Sequence, residues 1–276
     1  MEDEERIRQQ IESSAVRLGV PDFASFLMGP LLETPPTDAG DTGDPATVIT
    51  LLGEFSLRRE ERTLDVPSGN VARLLKLLAI ADEARSIDYV IDQLWPDTTS
   101  DIGRRRLKNV LTRIRKVSET LVERSPETLQ LGAAVGSDLR LFRDAAHRAI
   151  AGAAPHRLSL CVEALNLYTG PLLPTDQYDD EISIERVQVD ALAASVFELL
   201  LNSMEIGRLS PAWVLETANR IAIESDQVYV RIAEMAVDSG AEVCATSALA
   251  RAAAIADSLD VPLLTDSRLE HLLPKT

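Results

Sequence analysis

The pattern of apolar and polar positions predicts three short strands ahead of a long series of helices. Residues 48–52 are rich in β-branched side chains, Gly53 interrupts them, and residues 55–58 alternate between apolar and polar positions. This pattern is typical of two strands, and residues 64–66 fit a third. Further upstream, residues 4–28 have the spacing of an amphipathic helix, and the Pro-, Gly- and Asp-rich residues 33–45 indicate a linker.

Three helices and a hairpin follow the strands. Residues 70–83 carry a broad apolar face, with Ser68 or Asn70 as the expected cap. Ser86 opens a second helix that ends at Pro96. A turn leads into a third helix over residues 102–121, and we expect the last residues of the turn to cap this helix. Two strands around a Ser-Pro-Glu turn, residues 120–124 and 128–131, then predict a β-hairpin.

The third helix is the most informative element of the sequence. When residues are placed about 100° apart, its apolar side chains converge on one face, formed by Leu107, Val110, Leu111, Ile114, Val117 and Leu121. The opposite face carries Arg105, Asn109, Thr112 and Lys116, and it is flanked by Lys108 and Arg113. A helix with one buried stripe and one cationic face suits the DNA major groove, and the hairpin behind it suits a wing.

The rest of the chain is predicted to be helical. Alanine is dense, Pro and Gly separate the segments, and we place helices near residues 138–152, 155–169, 182–206, 210–223, 225–238 and 241–258. Helix pairs with short connections suggest a solenoid of the tetratricopeptide kind. The predicted fold is therefore mainly α with a small β component, a winged helix-turn-helix followed by an all-helical domain.

The distribution of charge supports a nucleic-acid interface although the net charge is −16. Residues 47–136 hold 14 Lys and Arg against 13 Asp and Glu, whereas residues 1–46 hold 3 against 10 and residues 137–276 hold 11 against 21. Seven cations and no acid lie within residues 104–116, namely Arg104, Arg105, Arg106, Lys108, Arg113, Arg115 and Lys116. A local cationic patch matters more for phosphate binding than the total charge does.

These observations define a set of candidate DNA-binding residues: Arg104, Arg105, Lys108, Asn109, Thr112, Arg113 and Lys116 on the helix, with Arg124 on the wing. Arg105 and Asn109 lie centrally, where side chains of these types can contact guanine and adenine edges. The alternative for this helix is an ordinary solvated basic face. Trp95 fits a core residue better than a partner-binding one, and the turn at residues 97–101 is equally consistent with a connector or a contact for RNA polymerase.

Other kinds of chemistry find little support in the sequence. We find no nucleophile elbow, phosphate-binding glycine loop or metal-ligand spacing, so we expect neither an enzyme nor a cofactor. Cys161 and Cys244 fit reduced core thiols. No apolar run reaches the length of a membrane span, and the acidic start lacks the features of a signal peptide, so we expect a cytoplasmic protein without a membrane partner.

Several motifs, in the same order, resemble the Streptomyces antibiotic regulatory protein (SARP) family. They are residues 52–57, 86–97, 104–116, 122–131, 138–142 and 164–173, so that the resemblance covers about residues 48–260. It implies an OmpR-type winged helix followed by a bacterial transcriptional activator domain. It also implies binding to direct repeats in promoters as a dimer or higher assembly, and contact with RNA polymerase. The chain departs from the family pattern after Ser210, and residues 1–46 are outside the family core.

Together, these features predict a sequence-specific DNA-binding transcription activator with three parts: an acidic extension (1–46), a winged-helix domain (47–136) and a helical activator domain (137–276). The alternative is a ligand-sensing or protein-interaction module in which DNA binding is conditional or lost. The acidic charge and the concave face of a helical solenoid support that alternative, with a small-molecule effector such as a nucleotide second messenger.

Overall fold

The computed structural model describes residues 47–60, 62–152, 154–176, 180–203, 206–265, 268–269 and 272. The predicted helix at residues 4–28 and the predicted linker at 33–45 lie outside this range. The described chain is mainly helical with a small β component, which confirms the predicted fold class.

Among the described residues, seven short strands form two sheets. They are β1 (Thr47–Thr50), β2 (Ser56–Arg59), β3 (Arg62–Thr63), β4 (Arg85–Ser86), β5 (Val122–Arg124), β6 (Thr128–Leu131) and β7 (Val135–Ser137). The first sheet has the order β3-β2-β1-β7, in which β1 and β7 are parallel, and the second has the order β4-β6-β5. The third strand was predicted at residues 64–66 but lies about two positions earlier, where Arg62 and Thr63 pair with β2.

Nine α-helices account for most of the described residues. They are α1 (Asn70–Ala81), α2 (Ile87–Leu94), α3 (Ser100–Val117), α4 (Asp138–Ala151), α5 (Ala154–Leu167), α6 (Asp180–Leu201), α7 (Pro211–Ile221), α8 (Asp226–Asp238) and α9 (Glu242–Leu259). A single 3-10 turn, Ile206–Arg208, precedes α7. The six helices predicted after residue 137 are all present, although α6 ends five residues before the predicted boundary.

Two of the predicted helix boundaries are corrected by local backbone geometry. The residue that precedes α1 is Gly69 at φ 78°, and no side chain caps this helix, so the predicted Ser68 or Asn70 cap is wrong. Helix α3 begins at Ser100 and ends at Val117, four residues before the predicted end, because Ser118 is extended and directs the chain into β5. By contrast, the Ser86 hydroxyl caps α2 as predicted, accepting a hydrogen bond from the Tyr89 N–H at 3.2 Å.

The chain divides into two compact units that interleave along the sequence. The sheet-containing unit comprises described residues 47–147 and 167–189, and the helical unit comprises described residues 148–166 and those from 190 onward. The core of the sheet-containing unit is formed by side chains that are essentially inaccessible to solvent, among them Ile49, Leu57, Leu74, Leu75, Phe142 and Tyr168. The rings of Phe142 and Tyr168 pack at 5.5 Å between centroids.

Residues 169–173 extend the backbone pairing of the sheet-containing unit at the end of β1. The Gly53 N–H donates to the Pro171 carbonyl at 2.9 Å, and the Leu173 N–H donates to the Leu51 carbonyl at 3.0 Å. Leu52 forms an antiparallel bridge with Leu172.

Asp138 connects the end of β1 to the start of α4. One carboxylate oxygen accepts from the Leu51 and Leu139 N–H groups, each at 2.8 Å, and the other accepts from the Leu52 N–H at 3.0 Å. Burial raises the pKa of Asp138 above its usual value, although these hydrogen bonds oppose the shift. The carboxylate therefore accepts hydrogen bonds from three backbone N–H groups. Two of them, those of Leu51 and Leu52, follow the last residue of β1 and take no part in its strand pairing.

The helical unit is stabilised by close packing of small side chains. Helices α8 and α9 form its most extensive pair, with Ala233, Ala236, Ala245, Ala248 and Ala252 fully buried. Polar side chains connect α7 to its neighbours: the Tyr229 hydroxyl donates to the Asn219 side chain at 3.1 Å, and the Trp213 indole N–H donates to Asn166 at 3.3 Å.

Candidate nucleic-acid interface

Helix α3 is held by an apolar stripe that packs against α1 and α2. Leu107, Val110, Leu111 and Ile114 are buried, as their spacing predicts. Gly103, which the sequence analysis missed, lies against Ile91 of α2. A Cβ built on Gly103 would stand 2.3 Å from the Ile91 Cγ2 atom, so only glycine allows this approach without movement of a neighbour. The stripe and the glycine together determine the orientation of α3.

The predicted outer face of α3 is exposed along its whole length. The structure places in solvent the side chains of Arg104, Arg105, Lys108, Asn109, Thr112, Arg113 and Lys116, and with them Arg106 and Arg115. The Thr112 hydroxyl donates to the Lys108 carbonyl at 2.8 Å, one turn back in the helix. The face therefore presents a row of cations with two short polar side chains, Asn109 and Thr112, between them.

Two of these cations are engaged by neighbouring residues. The Arg104 guanidinium forms an ion pair with the Asp88 carboxylate of α2 at 2.8 Å, and Arg106 donates to the Thr98 hydroxyl at 3.1 Å. Neither Asp88 nor Thr98 was singled out from the sequence, because their roles depend on the packing of α2 against α3. Both contacts are exposed, so their effect on stability is small, but they restrict the positions of the two guanidinium groups.

The remaining five cations of α3 have no such partner. In the part of the chain that the structure describes, no carboxylate lies within ion-pair distance of Arg105, Lys108, Arg113, Arg115 or Lys116. Arg115 was outside the predicted set of candidate residues and belongs to the same surface. We call these five residues the cationic face. No carboxylate among the described residues offsets the repulsion between these five positive charges, and bound phosphate groups would reduce that repulsion.

The wing contributes less positive charge than the helix. Arg124 ends β5 and is exposed, next to a tight turn in which the Ser125 N–H donates to the Thr128 carbonyl at 3.0 Å. Two exposed acids, Glu123 and Glu127, flank it. Hydrogen bonds from the Ala133 backbone N–H and the Gln130 side chain lower the pKa of Glu123, so this carboxylate remains charged at neutral pH. The positive potential of the surface is therefore concentrated on α3.

A half-buried arginine of the sheet fixes the C-terminal end of α3. The Arg59 Nε–H donates to the Thr47 hydroxyl at 3.1 Å, and one of its Nη groups donates to the hydroxyl of Ser118, the residue that ends the helix. Both hydroxyls belong to buried residues. The sequence analysis missed Arg59, since an arginine in an alternating strand pattern usually points into solvent.

The neighbourhood of Trp95 differs from a simple core position. Trp95 follows the last residue of α2 and is half-buried, whereas the sequence favoured a core residue. Its carbonyl accepts from the Thr98 N–H at 3.1 Å, which closes the turn toward α3. The turn before α3 thus has a structural role, because it also provides the Thr98 hydroxyl for Arg106, whereas residues 100 and 101 of the predicted turn already belong to α3.

Elsewhere, the titratable side chains are placed for packing. Across the described ranges, no three His, Cys, Asp or Glu residues come together as a metal site. Burial raises the pKa of the Cys161 thiol to about 11, and it raises that of Cys244 as well. Burial lowers the pKa of His147. None of the helices described is both long and apolar enough to cross a membrane.

Comparison with known proteins supports the fold. No protein-family model matches the chain, and none of the curated proteins does. Among solved structures, the chain is similar to Mycobacterium tuberculosis EmbR in complex with a low-affinity phosphopeptide, with 16% sequence identity and a TM-score of 0.55. The similarity covers 82% of this chain and 64% of the EmbR chain. At this level of identity the likeness concerns the fold alone: the chain has an EmbR-like architecture over most of its length.

Proposed function

We propose that this chain is a DNA-binding transcription regulator whose helix α3 enters the major groove. The observation that supports this function best is the cationic face, five exposed Lys and Arg residues on the sides of α3 that its buried stripe leaves open to solvent. Such a face neutralises phosphates, while a helix of this length fits the groove. The EmbR-like fold supports this proposal at the level of architecture.

The proposal assigns different roles to the residues of this surface. Arg105 and Asn109 contact base edges, and Thr112 lies between them and the C-terminal part of the helix. Lys108, Arg113, Arg115 and Lys116 contact phosphates, which position the helix without selecting a sequence. Arg104, held by Asp88, is directed to the backbone at the N-terminal end of α3. Arg124 contacts the adjacent backbone or minor groove from the wing.

The SARP resemblance extends the proposal to the level of the promoter. We propose an activator that binds direct repeats in double-stranded promoter DNA as a dimer or higher assembly, contacts RNA polymerase and acts in the cytoplasm. Residues 47–136 carry DNA recognition in this scheme. Residues 137–276, with their tetratricopeptide-like helix pairs, serve assembly or signal reception as an activator domain.

The test begins with genomic DNA fragments selected by the purified full chain and measures affinity by fluorescence anisotropy. Arg105→Ala combined with Lys116→Ala removes two charges of the cationic face, and we expect loss of measurable binding at physiological salt. The control combines Arg148→Ala with Arg268→Ala, which removes the same charge from exposed ion pairs of the helical unit. Affinity that is unchanged in the first variant would contradict the proposal.

Salt dependence separates this function from the alternative, a ligand-sensing or protein-interaction module in which DNA binding is conditional or lost. If α3 neutralises five phosphates, the affinity for DNA must fall steeply as the salt concentration rises. The slope of log affinity against log salt concentration should be about −4 to −5. The net charge of −16 favours the alternative because it repels DNA at long range. DNA binding that is absent alone and restored by a nucleotide second messenger would support the alternative.

A further inference from the structure

The sheet-containing unit holds a cavity that the DNA-binding role does not use. Its volume is about 260 Å³, and its walls come from α1, α2, β4 and the start of α6. Apolar side chains form most of the lining, chiefly Leu77, Ile80, Leu94 and Ile182. Polar side chains line it from all four elements: Arg73 of α1, Arg85 of β4, Tyr89 and Gln93 of α2, and Glu185 of α6. A mostly apolar lining that includes two guanidinium groups suits an amphipathic anion.

Arg85 is the residue that gives this cavity a chemical preference. Its Nε–H group is buried and has no hydrogen-bond partner among the described residues. The rest of the guanidinium is already ordered, because one Nη lies 2.9 Å from the Glu83 carboxylate and the group sits 5.6 Å from the centroid of the Tyr89 ring. A buried N–H without an acceptor costs free energy, so an acceptor in the cavity that reached this edge of the guanidinium, after a small rotation that opens the Nε–H to the cavity, would remove that cost.

The charges around the cavity favour an anion as that acceptor. Arg73 adds a second guanidinium to the lining. Among the described residues of the lining, Glu185 carries the carboxylate, and it forms an ion pair with Arg143 at 2.6 Å, a residue outside the cavity. The Glu83 carboxylate beside Arg85 is exposed and lies outside the lining. A carboxylate matches the planar edge of a guanidinium through two parallel hydrogen bonds. The volume lies just below the usual range for ligand sites, which restricts the ligand to one or two rings or a short chain.

We propose that this cavity binds a small amphipathic carboxylate, with its acid group on Arg85 and its hydrocarbon part against Leu77, Ile80 and Leu94. The site would be coupled to the DNA-binding surface through α2. Tyr89, Gln93 and Leu94 of α2 line the cavity, while Ile91 packs against Gly103 and Asp88 holds Arg104. A ligand that fixes α2 therefore fixes the helix behind the cationic face, and DNA binding strengthens ligand binding by the same factor.

Isothermal titration calorimetry of the full chain with 2-naphthoate and with octanoate tests the site. We expect one saturable site per chain for at least one of the two acids. A preference for the aromatic or for the aliphatic acid shows which type of hydrocarbon the cavity accepts. The matching neutral amide, 2-naphthamide or octanamide, should bind about tenfold more weakly or worse, because it lacks the charge that Arg85 recognises. Equal affinity of acid and amide, or no binding of either acid at millimolar concentration, overturns the proposal.

Two variants test whether the acid binds in this cavity. Arg85→Gln removes the guanidinium, and Ile184→Trp enlarges an exposed side chain of the lining so that it fills the space without disturbing a core position. Both should lower the affinity for the acid about tenfold or more, and Arg62→Gln, an exposed change on β3, should leave it unchanged. Binding that persists in both cavity variants overturns the proposal.

The outcome is independent of the proposed function. The cavity variants leave the cationic face intact, so they should still bind selected DNA in the absence of the acid. If DNA binding is present and the acid binds nowhere, only the cavity proposal fails. If the acid binds as expected and the chain does not bind DNA, the cavity proposal stands and the proposed function fails.

Discussion

Gly103 of α3 and Ile91 of α2 approach so closely that a Cβ on the glycine would lie 2.3 Å from the isoleucine Cγ2. Ile91 is β-branched and sits in a helix, where its χ1 angle has one strongly preferred value, so its methyl group cannot easily turn away. The contact sets the distance between the two helices on which the candidate interface depends.

Replacement of Gly103 by alanine should therefore destabilise the sheet-containing unit. Alanine improves helix propensity by up to about 1 kcal/mol, but overpacking costs about 1–3 kcal/mol, so we expect a net loss of about 1–2 kcal/mol. Urea denaturation measures this loss. In the double variant with Ile91→Ala, the clash is absent, and the two changes should be less costly together than their sum. A more stable Gly103→Ala single variant would show that the helices are not in contact here.

Arg59→Ala should lower the stability of the protein. The change removes the donor to the buried Thr47 hydroxyl and one partner of the buried Ser118 hydroxyl, which also accepts from the Thr120 N–H. We expect a loss of about 1–3 kcal/mol in the free energy of unfolding, measured by urea denaturation. The neighbouring Arg58→Ala provides the control, because Arg58 is exposed and surface changes of this kind stay within about 0.5 kcal/mol. Equal stability of the two variants would mean that Arg59 does not hold the end of α3.

The Asp138 carboxylate should tolerate asparagine poorly. An amide has one acceptor oxygen, so Asp138→Asn leaves at least one of the Leu51, Leu52 and Leu139 N–H groups facing an NH₂ group. We expect a loss of about 1–3 kcal/mol by chemical denaturation at pH 7. Because burial raises the pKa of this acid, ionisation opposes folding, and the wild-type protein gives up part of its stability as pH rises through the folded pKa. A variant as stable as wild type at pH 7 would show that the three hydrogen bonds add nothing.

Acidification should destabilise the protein through His147. Its pKa is lowered chiefly by burial, with Asp144 opposing the shift and Arg143 adding to it. The unfolded chain therefore takes up a proton near pH 6.5 while the folded chain does not, and stability that is complete above this pH declines as pH falls toward the folded pKa. Urea denaturation at pH 7.5 and 5.5 measures the decline, which we expect to be below about 1 kcal/mol. His147→Gln should flatten this part of the profile, and an identical slope in both proteins would exclude His147 as its source.

The two cysteines should differ in their reactivity toward a disulfide reagent such as dithionitrobenzoate. Cys161 is fully buried in α5 with a pKa of about 11, whereas Cys244 lies half-buried near the start of α9. At pH 8 the native protein should therefore show one accessible thiol, with the second released only by denaturant. Cys244→Ser should remove the accessible thiol. Two thiols reacting at the same rate in the native chain would contradict the burial of Cys161.

Features governed by local periodicity were predictable from the sequence. The apolar spacing of α1 to α3 and of α4 to α9 identifies these helices, and the same spacing separates the buried stripe of α3 from its exposed face. The end of α3 was not predictable, because Leu121 continues the apolar spacing although the backbone has already become extended at Ser118. Strands β4 and β7 are too short to show alternation, and they exist because partners distant in sequence are available.

The contacts that organise the candidate site were beyond prediction for a related reason. Gly103, Asp88 and Arg59 act through residues on other elements. Their positions in the sequence follow neither helix nor strand periodicity. The pairing of residues 51–53 with 171–173 spans more than a hundred positions. Such relationships depend on the tertiary arrangement, which one sequence without relatives does not reveal.

The pairing of residues 51–53 with 171–173 has a practical consequence for anyone who wishes to dissect this protein. A fragment that stops at residue 136 would expose the backbone donors and acceptors that residues 171–173 and Asp138 now satisfy, and would remove Phe142 and Tyr168 from its core. We expect such a truncation to aggregate or to be degraded. Since residues 137–147 and 167–189 belong to the same compact unit as α3, we expect that a folded fragment containing α3 has to include them.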